Sequence, residues 1–440
     1  MKMIGAFPSL FLGLSVLAMA QSSSAEPAES EKAWSLHFQL TNVTQWHPPF
    51  FALYSGTNSL RNTSEVKASL TSTVFAAFRV WRGAEFHADP EVSGGKGFSN
   101  TTGIAGFPNG EIYRVSQPMP KLYLARLYFQ QMIRLGDGDE EREDGPDEIA
   151  GRIPARRLTL VGGKFSLPDF FDDNSFSQDP RTQFLNWALA AAGAWDYAAD
   201  TRGYTWGIMT EYAAPNISAR LAAVLEPERA NGMEMDTHIT KAHSLNLELE
   251  RRYELWAHNG AVRILVFRNT ARMGSYSEAV NDPAYDMNIA LTDCYGRSKY
   301  GFILNCEQSV SDEAGLFARL SWNDGHTETW AYTEIDRSVS LGGVIGGKSW
   351  SRSLDKLGIA IVMNGLSRDH EDYLAAGGYG FIIGDGRLRY GLESILETFY
   401  SLPLVRFLWL TADYQFVVDP AYNRDRGPVH VLSIRVHAAV

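Results

Sequence analysis

The feature that most restricts this chain is a two-residue alternation of apolar and polar side chains, repeated in segment after segment. In the first segment Trp34, Leu36, Phe38 and Leu40 share one face, while Ser35, His37, Gln39 and Thr41 share the other. Val66, Ala68, Leu70, Val74, Ala76, Phe78 and Val80 oppose Lys67, Ser69, Thr71, Thr73 and Arg79. Tyr123, Ala125, Leu127, Phe129 and Ile133 oppose Arg126, Tyr128, Gln130 and Arg134. The last segments repeat the scheme, with Leu408, Leu410, Ala412, Tyr414 and Phe416 against Thr411, Asp413 and Gln415. Leu432, Ile434, Val436, Ala438 and Val440 then oppose Ser433, Arg435 and His437. Period two is the strand repeat, and a face this polar cannot line a dry core. It fits a wall with lipid on one side and water on the other.

Segments of about ten residues are what a tilted strand needs to cross a bilayer. The alternation predicts sixteen: 34–41, 65–80, 84–91, 121–135, 157–165, 203–213, 217–226, 244–257, 261–270, 299–309, 315–323, 334–346, 355–364, 391–402, 407–418 and 428–440. The fold class is therefore all-β, a closed transmembrane antiparallel barrel of about sixteen strands with a long loop folded into the lumen. An even count puts both ends on the periplasmic side. Short connections at Arg82-Gly83, Ala214-Pro215-Asn216, His258-Asn259-Gly260 and Ser311-Asp312-Glu313 read as periplasmic turns, alternating with long extracellular ones. Residues 136–156 break the rule: a short turn is expected there, but the segment is long and acidic. Either it holds a further strand or the turn is unusually long.

The N-terminus reads as an export signal. Lys2 precedes an apolar run from Ile4 to Ala20 that ends Ala18-Met19-Ala20, with cleavage expected after Ala20 or after Ala25. The domain scheme is thus a signal peptide 1–20, a periplasmic segment 21–33 and a barrel 34–440. Beyond residue 25 no apolar run reaches the roughly 18 residues of a spanning helix, so membrane crossing falls to strands.

Composition excludes other classes. A net charge of -11 argues against a nucleic-acid partner, whose phosphates require clustered Lys and Arg. Two cysteines, Cys294 and Cys306, are too few for a disulfide scaffold, and pairing between them stays open. No G-x-S-x-G, H-E-x-x-H, C-x-x-C or Walker motif is present, and the scattered histidines lack metal-ligand spacing. No cofactor or metal is implied. The acidic run from Asp137 to Glu148 lacks the spacing of a calcium loop and reads as a solvated connection.

Two sets of residues carry candidate chemistry. The longest loop, about 166–202, holds Asp169, Asp172, Asp173, Asp179, Arg181, Trp187, Trp195, Asp196 and Tyr197. Folded into the lumen, it would set aromatic faces beside charges, the combination that holds sugars through C–H faces and hydroxyls. Packed on itself, it would be a compact surface loop. The second set is the wall charges Arg79, Arg126, Arg134, Glu397, Asp413 and Arg435, which tune selectivity if they reach solute and otherwise pair among themselves.

The segments also resemble a known family. Gly97-Phe-Ser-Asn-Thr-Thr-Gly-Ile-Ala-Gly-Phe-Pro-Asn-Gly-Glu111, Val161-Gly-Gly-Lys-Phe165, Asp179-Pro-Arg-Thr-Gln-Phe-Leu-Asn-Trp187 and Arg251-Arg-Tyr-Glu-Leu255 stand in the order found in OprB-type carbohydrate-selective porins. So do Ala375-Ala-Gly-Gly378, Ile395-Leu-Glu-Thr-Phe-Tyr400, Asp413-Tyr-Gln-Phe416 and Asn423-Arg-Asp-Arg-Gly-Pro428. The resemblance implies a sixteen-stranded outer-membrane barrel that passes monosaccharides, glucose among them, by facilitated diffusion. Its partners would be small neutral sugars and outer-membrane lipid, in a monomer or a homotrimer. The rival readings are an outer-membrane barrel enzyme and a non-conducting glycan receptor. Such barrels usually end in an aromatic residue, whereas this chain ends Ala438-Ala439-Val440.

Overall fold

A computed structural model describes residues 32–114 and 118–440. The expected signal peptide and nearly all of segment 21–33 lie outside the described residues. The strands are β1 (Trp34–His47), β2 (Glu65–Trp81), β3 (Ala84–Gly95), β4 (Lys121–Arg134), β5 (Asp139–Arg142), β6 (Gly151–Pro154), β7 (Arg157–Phe165), β8 (Thr205–Ala214) and β9 (Ile217–Val224). They continue with β10 (His243–Leu255), β11 (His258–Ala271), β12 (Arg297–Ser309), β13 (Ala314–Asn323), β14 (Arg337–Gly346), β15 (Lys356–Gly365), β16 (Glu393–Val405), β17 (Leu408–Val418) and β18 (Val429–Ala439). All but β5 and β6 form one closed barrel in which each strand pairs with its sequence neighbour. β1 pairs with β18 to close it, and Phe38 and Val440 exchange backbone hydrogen bonds at 2.9 and 3.0 Å. Closure leaves no edge strand, which a bilayer demands because lipid offers no hydrogen bonds.

Each of the sixteen expected segments coincides with a wall strand, their ends differing by a few residues. The outward face carries Leu36, Phe78, Leu247, Ile264, Ile359 and Ile434, all exposed and apolar. Trp34, Trp81, Trp256 and Phe407 band its periplasmic end, and Trp46, Trp206 and Tyr300 its extracellular end, where amphipathic rings suit the headgroup level. The inward face is polar yet mostly buried: Gln39, Thr73, Asn246, Glu248, Arg319 and Arg435 are each at most 4% exposed. Other protein groups, not open water, therefore cover much of that face.

Register shifts occur at Arg79–Trp81 of β2 and Pro403–Val405 of β16, but the one beside the lumen segment is on β4. Along β3 and β4, Asp89 pairs with Arg126 but Pro90 pairs with Leu124, which leaves Ala125 as a bulge. A bulge adds one residue and reverses parity beyond it. Tyr123, expected on the lipid face, therefore turns inward, and its hydroxyl donates to Glu91. Residues 136–156 resolve as an enlarged turn: β5 and β6 pair as a separate two-stranded hairpin. The solvated connection expected there is instead held by Arg142, which pairs with Glu85 of β3, and by burial of Ile149. Cys294 and Cys306 are free thiols.

Candidate constriction in the barrel lumen

The segment 166–204 makes polar contacts with inward-facing side chains of wall strands around most of the barrel. Asp172 accepts from Asn305 of β12 at 2.6 Å and from Arg319 of β13 at 3.0 Å. Its backbone N–H donates to Glu248 of β10 at 2.7 Å. Arg263 of β11 reaches Asp173 at 3.2 Å. Glu397 of β16 accepts the backbone N–H groups of Leu185 (2.5 Å) and Asn186 (3.0 Å), and Asn186 donates to Gln415 of β17 at 3.0 Å. Arg435 of β18 donates to the carbonyls of Pro180 and Gln183, both at 2.7 Å. Charged wall groups thus satisfy loop backbone, which has no ladder partner of its own.

The segment 96–114 is held in the same way. Glu393 of β16 accepts from the backbone N–H groups of Ala105 at 2.9 Å and Gly106 at 2.7 Å. At Gly106 an added Cβ would crowd the side-chain ends of Ile395 at 2.9 Å and of Asn186 and Asn364 at 3.0 Å, so glycine lets these three groups close in. The two segments also join each other, Trp187 N–H to the Phe107 carbonyl at 2.9 Å and the Trp187 indole to the Asn109 carbonyl at 2.7 Å.

Two cavities flank this junction. One, of about 380 Å³, is lined by Arg126, Asp169, Trp187, Tyr197, Tyr204 and Tyr332 among others. The other, of about 590 Å³, lies toward the periplasmic end and includes His37, Phe75, Pro146 and His437 in its lining. Asp179 and Arg181 line both. Arg181 is gripped by Glu91 at 3.0 Å and Glu111 at 3.1 Å. Burial works against its charge, but Glu111 and Glu91 outweigh this and raise its pKa above the ordinary guanidinium value. Burial raises the Glu111 carboxyl above its usual range, with Arg181 opposing. Arg126 holds Asp169 with two hydrogen bonds, at 2.6 and 2.7 Å, and lies over the Tyr204 ring at 5.4 Å. Trp187 and Tyr332 are near-parallel, 5.9 Å apart, and Tyr197 lies 4.5 Å from Tyr332. Guanidinium groups, carboxylates and ring faces therefore share one aqueous space, chemistry suited to neutral polyhydroxylated solutes.

Of the candidates from the sequence, Arg126, Asp169, Asp179, Arg181, Trp187 and Tyr197 come together around the cavities. Trp195 is fully buried and donates to Asn246 at 3.1 Å. Glu397 and Arg435 hold loop backbone, and Asp413 is buried beside Gln415 at 3.3 Å. Arg79 pairs with Glu85 at 3.5 Å, and Arg134 bonds Asp139 and the Gly138 carbonyl near the periplasmic end of β4. Sequence reasoning missed Glu91, Glu111, Tyr204 and Tyr332. Glu91 was legible, because Glu85, His87, Asp89, Glu91 and Ser93 alternate with Phe86, Ala88, Pro90 and Val92 along β3. Tyr332 had no local signal, since its place depends on Asp196, which accepts the backbone N–H groups of Trp330, Ala331 and Tyr332 at 2.7, 2.8 and 3.2 Å.

Comparison with known proteins agrees with the barrel fold. A family model described as carbohydrate-selective porin, OprB family, matches residues 57–439. Among solved structures, the high-pH form of Pseudomonas putida OprB superposes with a TM-score of 0.70 at 16% identity, covering 93% of this chain and 94% of that one. The outer membrane channel DcaP of Acinetobacter baumannii gives a TM-score of 0.48 at 10% identity, covering 92% and 97%. No curated protein sequence is significantly similar.

Proposed function

Since this chain belongs to the carbohydrate-selective porins of the OprB family, a multi-pass outer-membrane barrel, we propose that it passes monosaccharides such as glucose by facilitated diffusion. The observation that carries this reading is the aromatic and charged lining shared across Asp179 and Arg181. A sugar entering from outside would lay its C–H face against Trp187, Tyr197 or Tyr332 while its hydroxyls exchange water for Arg126, Asp169 and Arg181. Each contact is weak enough to release the solute, so several in sequence favour entry without trapping it. No energy source is required, because net flux follows the gradient.

Liposome swelling tests the reading. Glucose is expected to permeate faster than a zwitterion of similar size, and equal rates would sink the sugar preference. Planar-bilayer recording separates the pore from a non-conducting receptor: steady open conductance is expected, and a silent barrel would favour the receptor.

A further inference from the structure

The connection between β4 and β7 stands where the other periplasmic turns are short. Its hairpin ends in a tight turn at Gly145-Pro146-Asp147-Glu148, where Gly145 and Glu148 exchange backbone hydrogen bonds at 3.2 and 3.0 Å. The tip does not project away from the barrel. Asp144 bonds Lys32 at 2.9 Å and lies 3.5 Å from His37, and Ser35 donates to the Gly145 carbonyl at 3.4 Å. Asp147 lies 3.6 Å from His87 and 3.9 Å from Arg126. His37, His87 and Arg126 all belong to the inward face. Arg126 stands eight residues along β4 from its periplasmic end at Arg134. At about 3.3 Å per residue, the tip meets the wall roughly 25 Å up the strand. Pro146 lines the periplasmic-side cavity together with Asp179 and Arg181. Ile149 and Ile153 are buried, and Arg142 is held by Glu85 and by the Ile149 carbonyl at 2.9 Å, so the hairpin is packed in place.

We propose that this hairpin is a second constriction, in series with Asp179 and Arg181, which limits passage into the periplasm. The inference rests on the porin reading. Solute that has cleared Arg181 enters a space that the Pro146 turn narrows from below. Arg126 is the meeting point, bonded to Asp169 from the extracellular side and close to Asp147 from the periplasmic side.

The test excises residues 139–154 and joins Gly138 to Ala155 through Asn-Gly. These ends are already paired, with Ala155 N–H to the Gly138 carbonyl at 3.2 Å and Leu135 N–H to the Arg156 carbonyl at 2.9 Å. Single-channel conductance is expected to rise by up to roughly two-fold, as when one of two comparable resistances in series is removed. A second variant, Asp147→Ala in the full-length chain, frees the tip from His87 and Arg126 and is expected to raise conductance part of the way. Conductance equal to wild type in both variants, each folded by circular dichroism, would overturn the proposal. A barrel that gives no steady conductance with or without the hairpin would overturn the porin reading itself.

Discussion

Arg126 and Asp169 are joined by two charge-assisted hydrogen bonds, Nη2 to Oδ1 at 2.6 Å and Nε to Oδ2 at 2.7 Å. The pair ties the segment after β7 to the wall at β4. The same guanidinium lies 3.4 Å from Asp89 and 3.9 Å from Asp147, so one cation serves carboxylates from three elements. Arg126→Ala leaves those acids facing one another. It is expected to weaken the anchor by about 1.5–3 kcal/mol, the range for hydrogen bonds to charged groups, since the pair is partly exposed. It should also shift the reversal potential toward greater cation preference, read in a salt gradient across a planar bilayer. An unchanged reversal potential would show that Arg126 does not face the ion path.

Arg181→Lys keeps the charge but loses the planar fork that spans Glu91 and Glu111. Glucose-induced interruption of ion current is expected to weaken by roughly ten-fold, the effect of about 1.4 kcal/mol. Titrating glucose against current noise in both proteins measures it, and equal affinities would remove Arg181 from the sugar path.

Glu397→Ala removes the acceptor of two backbone N–H groups, those of Leu185 and Asn186. Each orphaned donor costs about 1–3 kcal/mol. The expected result is an intact barrel with more open-channel flicker. Wild-type flicker would mean that the other anchors hold the segment alone.

Ile264 sits midway along β11 on the lipid face and is half exposed. Ile264→Lys is expected to destabilise the barrel by about 2–4 kcal/mol near the bilayer midplane. Denaturant unfolding in lipid vesicles reads this directly. A change under about 1 kcal/mol would place the position away from the midplane.

Asp336 in the β13–β14 connection is fully buried and lies 2.9 Å from His370. Burial would raise its pKa, but His370 and the Ser367 N–H outweigh this and hold the carboxyl below the usual range. A depressed folded value means that the stabilisation is complete above the unfolded pKa and is lost as pH falls through the folded one. Resistance of the extracellular connections to proteolysis is therefore expected to fall on acidification below about pH 4. Asp336→Asn should flatten that acid limb, and an identical pH profile in the variant would assign the limb to another group.

The sequence by itself determined the wall. Alternation is a local, period-two property, so Leu36 and Ile434 could be assigned to lipid and Gln39 and Arg435 to the inside from a few neighbours each. The even strand count, the common end of both termini and the acidic inner stripe of β3 follow from the same rule. Only the tertiary structure decided which inward groups line the cavities and which hold loop backbone. Glu397 and Arg435 share the inward parity of Arg126, yet their partners are backbone groups more than 200 residues away. One bulge at Ala125 reversed the parity of Tyr123, because a single extra residue changes the face without changing composition. The junction between the two cavities likewise rests on contacts among Arg181, Glu91 and Glu111, which lie on separate parts of the chain, and no local pattern encodes the distances among them.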